Sequence, residues 1–221
     1  MSPATPEHLS DGGSATNHQP VLPLWLKLAF TAWIAGWAPT FWVLLGPQNY
    51  FWLCNLASFL ILVGLWRESR LLLSMQWLAV ALVGSLWAVD VGTAWLTGVH
   101  PIGGTEYMFD DDQPLLTRLM SLYHLVLPVV AGLAIWRLGY APRGLAWQTA
   151  LTWLVVPTSY LLTEPERNIN WVHGPFGTHQ EWLPPLVYLA GLMALWPLLI
   201  YLPVHLLTRW LQRRGRLPGP H

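Results

Sequence analysis

Two side chains in the sequence, Cys54 and His124, are suited to nucleophilic acyl chemistry. A thiol and an imidazole within hydrogen-bond reach make a nucleophile and its base: the histidine takes the proton and the thiolate attacks a carbonyl. Asn55 follows the cysteine, Ser121 precedes the histidine by one helical turn, and Arg118 and Asp90 are the charged candidates to join them. Asn55 or Arg118 could bind an oxyanion or a headgroup, and a guanidinium fork matches phosphate and carboxylate oxygens. Each group also has a plainer reading. A lone membrane cysteine usually behaves as a small hydrophobe, and a lone buried histidine usually as a hydrogen-bonded packing residue. Arg118 and Asp90 could form an ion pair near the outer ends of their helices, or Arg118 could reach toward the headgroups.

A second constellation is His100, Glu106, Asp110, Asp111, Asp112, His173 and His179, nitrogen and oxygen ligand types able to hold a divalent ion if they converge. Their spacing matches no recognised metal signature, and an acidic run is usually a solvated face. No metal is therefore assigned, and no cofactor is indicated. The single cysteine rules out an internal disulfide.

These residues must be positioned by membrane helices. The chain has 221 residues, 54% hydrophobic and only 10% charged, against about 25% charged in soluble domains. It reads as one all-α integral membrane domain, a polytopic six-helix transmembrane bundle. The apolar spans are 22–45, 49–66, 71–90, 115–136, 145–163 and 183–207, which divides the chain into a polar tail (1–21), a membrane domain (22–208) and a basic tail (209–221). The tail lacks the basic and apolar regions of a cleavable signal and is expected to be disordered, leaving span one as an uncleaved anchor. Gly46, Pro47 and Gln48 separate spans one and two, which predicts an antiparallel hairpin.

Sidedness follows from the cations. Lys27, Arg67, Arg70, Arg137, Arg143, Arg209, Arg213, Arg214 and Arg216 all fall on one side of the spans, leaving Arg118 and Arg167. By the positive-inside rule that side is the cytoplasm, with both termini, and the 16 tryptophans suit interfacial belts. Cys54, Asn55, Asp90, Arg118, Ser121 and His124 then belong to an outward-facing polar pocket under two long loops, 91–114 and 164–182. Thr117, Ser121, His124 and Pro128 share one face of span four. Prolines 39, 128, 157, 197 and 203 predict kinks. The formal net charge of zero, with no basic cluster beyond the membrane flanks, argues against a nucleic-acid partner.

The stretches NYFWLCNLASFL, YMFDDDQPLLTRLMSLYHLVLPVV and YLLTEPERNINWVHGPFG, with WLPPLVYLAGLM after them, resemble a group of bacterial membrane-associated proteins of unassigned activity. The layout is more distantly similar to YwaF-like membrane proteins and to lipid hydrolases and acyltransferases of the androgen-induced-protein type. That resemblance implies six helices, a nucleophile on an early span at Cys54, and a histidine on the fourth at His124. Those hydrolases carry threonine where this chain has Cys54, so the nucleophile's identity stays open. The expectation is a membrane-embedded acyl-chain hydrolase or transferase in a bacterial inner membrane, with membrane lipids as partners. The alternative is a non-catalytic subunit held by other membrane protein subunits.

Overall fold

Within an apolar segment each backbone N–H and C=O must find its partner locally, and a helix achieves this. The computed structural model describes residues 21–217, and no strand occurs among them. Six helices follow one another: α1 (Leu24–Leu45), α2 (Leu53–Trp66), α3 (Arg70–Thr97), α4 (Leu115–Leu138), α5 (Gly144–Leu162) and α6 (Pro185–Arg213). Of these, α1, α3, α4 and α6 are long and apolar enough to cross a membrane. The two remaining helices fit the six-helix count but not that criterion. With 14 residues, α2 is about 21 Å long and is preceded by a 3-10 turn over Pro47–Phe51. In α5, Gln148, Thr152 and Ser159 are buried, so part of its polarity is spent on helix contacts.

Three boundaries differ from those read off the sequence. α3 continues to Thr97, which sets Asp90 about two turns inside the helix rather than at its end. α4 is interrupted at Ser121 and Leu122, where His124 and Leu125 donate to the carbonyls of Ser121 and Leu122, three residues back. α6 widens into a π-helical turn over Trp196–Tyr201, and its last turns take in Arg209 and Arg213 from the expected basic tail. Of the expected polar tail, residues 1–20 lie outside the described residues, as do 218–221 of the basic tail.

α3 is the central helix, packed against α2, α4, α5 and the C-terminal half of α6. Its approach to α4 depends on Gly84: a Cβ there would stand 2.4 Å from Pro128 Cγ and 2.6 Å from the His124 carbonyl oxygen. A small residue at the crossing lets the two backbones meet. The hydrogen bonds between helix ends sort into two groups. At one end, Glu68 accepts from the Val21 and Leu22 amides and from Lys27, Ser74 accepts from the Ala141 amide, and Tyr140 meets His205. This basic end holds both described chain ends. At the other, Arg167 donates to the Leu45 carbonyl and Gln48 accepts from the Glu164 amide. This loop end gathers the two long connections.

Candidate functional site

A cavity of about 540 Å³ occupies the loop half of the bundle and takes its walls from every helix except α5. That volume falls within the roughly 300–1,000 Å³ of small-molecule sites. Its surface is mostly apolar, with Phe41, Leu45, Val83, Leu86, Leu195 and Ile200 among the contributors. The polar groups are few and come mainly from α2, α4 and the two long loops.

Cys54 and Asn55 stand in the first turn of α2, on the cavity wall. The Tyr123 hydroxyl lies 3.0 Å from the Cys54 sulfur and also bonds to Asn55 Oδ1, while Asn55 Nδ2 donates to the Asn49 carbonyl. A phenol has one hydrogen, so the sulfur and the amide oxygen compete for it. His124 faces the same cavity from α4. Its Nδ1 is 2.9 Å from the Ser121 carbonyl oxygen, which can only accept, so Nδ1 carries the hydrogen and Nε2 keeps a free lone pair. The ring stacks on Trp87 at 5.1 Å and lies 4.1 Å from the Tyr123 ring. No hydrogen bond joins Cys54 to His124, but both border one small void of about 10 Å³ beside Gly84 and Leu127. The two residues are thus brought to one place without a hydrogen bond between them.

Asp90 and Arg118 do not pair. The Asp90 carboxylate is fully buried and accepts from the Ile102 amide (2.7 Å), the Gly103 amide (3.2 Å) and the Thr105 hydroxyl, with His100 Nδ1 at 3.5 Å. It fastens the first long loop onto α3, and Asp90 and that loop together form cavity wall. Arg118 is largely buried beneath the first loop, 3.6 Å from Asp111 and 3.5 Å from the Met108 carbonyl, with its Nε left without a partner, and is not part of the cavity wall. Ser121 reaches the wall, with its hydroxyl donated to the Thr117 carbonyl one turn earlier.

Several lining residues were not singled out in the sequence, Tyr123, Trp87, Tyr107 and Asn170 among them. Tyr123 and Trp87 carry no motif that distinguishes them from the other aromatics of the spans. Tyr107, in the first loop, accepts from Trp87 Nε1 at 3.1 Å, and burial pushes its hydroxyl pKa up while the Ser121 and Trp87 hydrogen bonds oppose the shift. Asn170 Oδ1 accepts from the Leu53 amide, which begins α2, and Nδ2 donates to the Phe51 carbonyl and Ser159. The signal for Asn170 was the NINW segment itself. Asn168, Asn170, Trp171 and Phe176 all have positive φ, a costly conformation that persists only where surrounding contacts impose it. A Cβ on Gly104 would come within 3.3 Å of the Phe176 ring, so the two outer loops meet over the cavity.

The candidate loop ligands do not gather into one site. His173 stacks on His179 at 5.6 Å, while His100 bonds with Thr105, and no group of three or more metal-ligating side chains converges among the described residues. Burial, and secondarily the neighbouring His179, push the His173 pKa down. No family model, curated protein or solved structure matches the chain, so the function of the cavity is argued from its own geometry.

Proposed function

We propose that this is an integral membrane protein that admits a long-chain acyl ester to the cavity and transfers or hydrolyses its acyl group through Cys54. The observation that carries the reading is the convergence of Cys54 and His124, from two helices, on one void of a largely apolar cavity. The free Nε2 of His124 accepts the thiol proton, and the sulfur attacks the ester carbonyl to form a thioester. The departing alkoxide takes the proton back from His124, and water or an alcohol then releases the acyl group. Catalytic hydrogen bonds are often long without substrate and tighten in the complex, so a pair not yet joined by a hydrogen bond suits a resting site. Tyr123 is the hydrogen-bond donor at the sulfur and Asn55 its neighbour, with Ser121 and Asp90 shaping the wall.

By the positive-inside rule the basic end faces the cytoplasm of a bacterial inner membrane, and the cavity faces outward. One observation favours a second reading, in which the cavity holds lipid for a larger membrane assembly without chemistry: the thiol is engaged by Tyr123 rather than His124. Incubation with an acyl ester, followed by intact-mass measurement and lipid analysis, separates the two. The acyl enzyme forms a thioester in the wild type, none in Cys54→Ala, and turns over slowly in His124→Ala. Equal lipid turnover in the wild type and both variants would overturn the catalytic proposal.

A further inference from the structure

Resting on the acyl-ester reading of the cavity, we infer that the part of the ligand held inside is uncharged: a neutral acyl ester fits, and ionised fatty acids and cationic amphiphiles are rejected. Among the described residues, the cavity wall contains no lysine or arginine. Its acidic member is Asp90, whose oxygens are occupied by two backbone amides and the Thr105 hydroxyl. The Asp90 carboxylate is fully buried, with His100 Nδ1 a further 3.5 Å from it, so it presents no exposed oxygen to a ligand cation, and its negative charge opposes an anion.

The two arginines of the loop end lie outside the wall. Arg118 faces Asp111 and the Met108 carbonyl, with its Nε left without a partner, and Arg167 bonds with Glu164 and the Leu45 carbonyl. An anion within the cavity would thus be desolvated without a counter-charge, which costs far more than burying a hydrogen-bonded neutral group. Aromatic faces can hold an ammonium ion, but one face of Trp87 is taken by His124 at 5.1 Å and one face of Trp171 by Trp196 at 6.2 Å. What the wall offers instead is neutral: the Gln113 amide, the Thr117 hydroxyl, which is buried without a partner, and the remaining hydrogen-bonding capacity of Asn55, Tyr107 and Ser121. Such amide and hydroxyl groups match an ester or glycerol hydroxyl, and any ionic headgroup must remain beyond the loops.

The test uses full-length Cys54→Ala protein in mild detergent, which binds without turnover, and three probes of equal chain length: a monoacylglycerol, the free fatty acid and a trimethylammonium amphiphile. Displacement of a bound fluorescent lipid at alkaline pH is expected to rank the monoacylglycerol at least about tenfold tighter than either charged probe. The fatty acid should gain affinity as the pH falls through its own ionisation, and Gln113→Lys should shift preference toward the anion. Equal or tighter binding of either charged probe overturns the inference. A Cys54 thioester in the wild type without charge preference sinks this inference alone. Neutral selectivity without any thioester sinks the catalytic proposal alone, and binding of none of the probes removes both.

Discussion

The Tyr123 hydroxyl, 3.0 Å from the Cys54 sulfur, ties the restart of α4 to the first turn of α2. The ring has little freedom to leave. Tyr123 is buried, with Trp37 of α1 at 5.4 Å and Trp33 at 6.2 Å between ring centroids. The same phenol bonds to Asn55, so one buried hydroxyl positions both polar groups at the head of α2.

Removing only that oxygen tests its effect on the thiol. A hydrogen bond to a charged group contributes about 1.5–3 kcal/mol, so Tyr123→Phe should slow thiolate alkylation at Cys54 by roughly 10- to 100-fold. The check is the rate of modification by a small membrane-permeant alkylating reagent, followed by intact mass. A faster or unchanged rate would mean that the hydroxyl shields the sulfur rather than supporting its thiolate.

Two glycines of α3 should respond oppositely to the same methyl group. In Gly84→Ala the new carbon meets Pro128 and the His124 carbonyl well inside contact distance, whereas a Cβ on Gly92 meets nothing within 4 Å. Overpacking costs about 1–3 kcal/mol, while alanine in place of glycine in a helix interior gains roughly 0.5–1 kcal/mol. Thermal unfolding in detergent should therefore show a lower midpoint for Gly84→Ala and an equal or higher one for Gly92→Ala. Matching midpoints for the two variants would contradict the close crossing of α3 and α4.

Hydropathy alone located all six helices, including α5, because an apolar run has few alternatives to helix when it buries its backbone. The clustering of Cys54, Asn55, Ser121 and His124 was legible too, since charge asymmetry and depth placed them in one half of the bundle. The partners were not. Asp90 was expected near a helix end, where Arg118 could meet it, but α3 runs on to Thr97 and the first loop folds back to claim the carboxylate. Tyr123 was missed because a regular helical stripe selects His124 and leaves the adjacent residue off its face. The interruption at Ser121 and Leu122, invisible to periodicity, allows both to line the cavity. Loop return paths and breaks in helical register depend on contacts distant in sequence, which no local pattern contains.

Acid should loosen the basic end of the bundle. Burial raises the Glu68 pKa, but Lys27 at 2.7 Å and the Val21 and Leu22 amides at 3.0 Å outweigh it and leave the carboxyl below its ordinary value. A folded-state pKa below the unfolded one means stabilisation that is complete above the unfolded pKa and lost as pH falls through the folded pKa. The wild-type unfolding midpoint should drop across the acidic carboxylate range, and Glu68→Gln should flatten that part of the profile. If the variant and the wild type lose stability in parallel, Glu68 is not the group responsible.

Asp90 supplies the strongest test of whether the first outer loop is a fixed wall of the cavity. In Asp90→Ala the Ile102 and Gly103 amides and the Thr105 hydroxyl lose their shared acceptor, and each such group left buried without a partner costs about 1–3 kcal/mol. The loop has a cheaper course than enduring that cost. Residues 98–105 can swing outward and hydrogen-bond to water, so the expected result is faster amide exchange there with α3 still protected. Because Ile102, Gly103, Gly104 and Thr105 line the cavity, the same movement should admit polar thiol reagents and speed modification of Cys54. Asp90→Asn, which retains an oxygen for the two amides, should fall between alanine and wild type in both measurements. Exchange over 98–105 that is the same in all three proteins would refute the fastening role and detach the loop from access to the site.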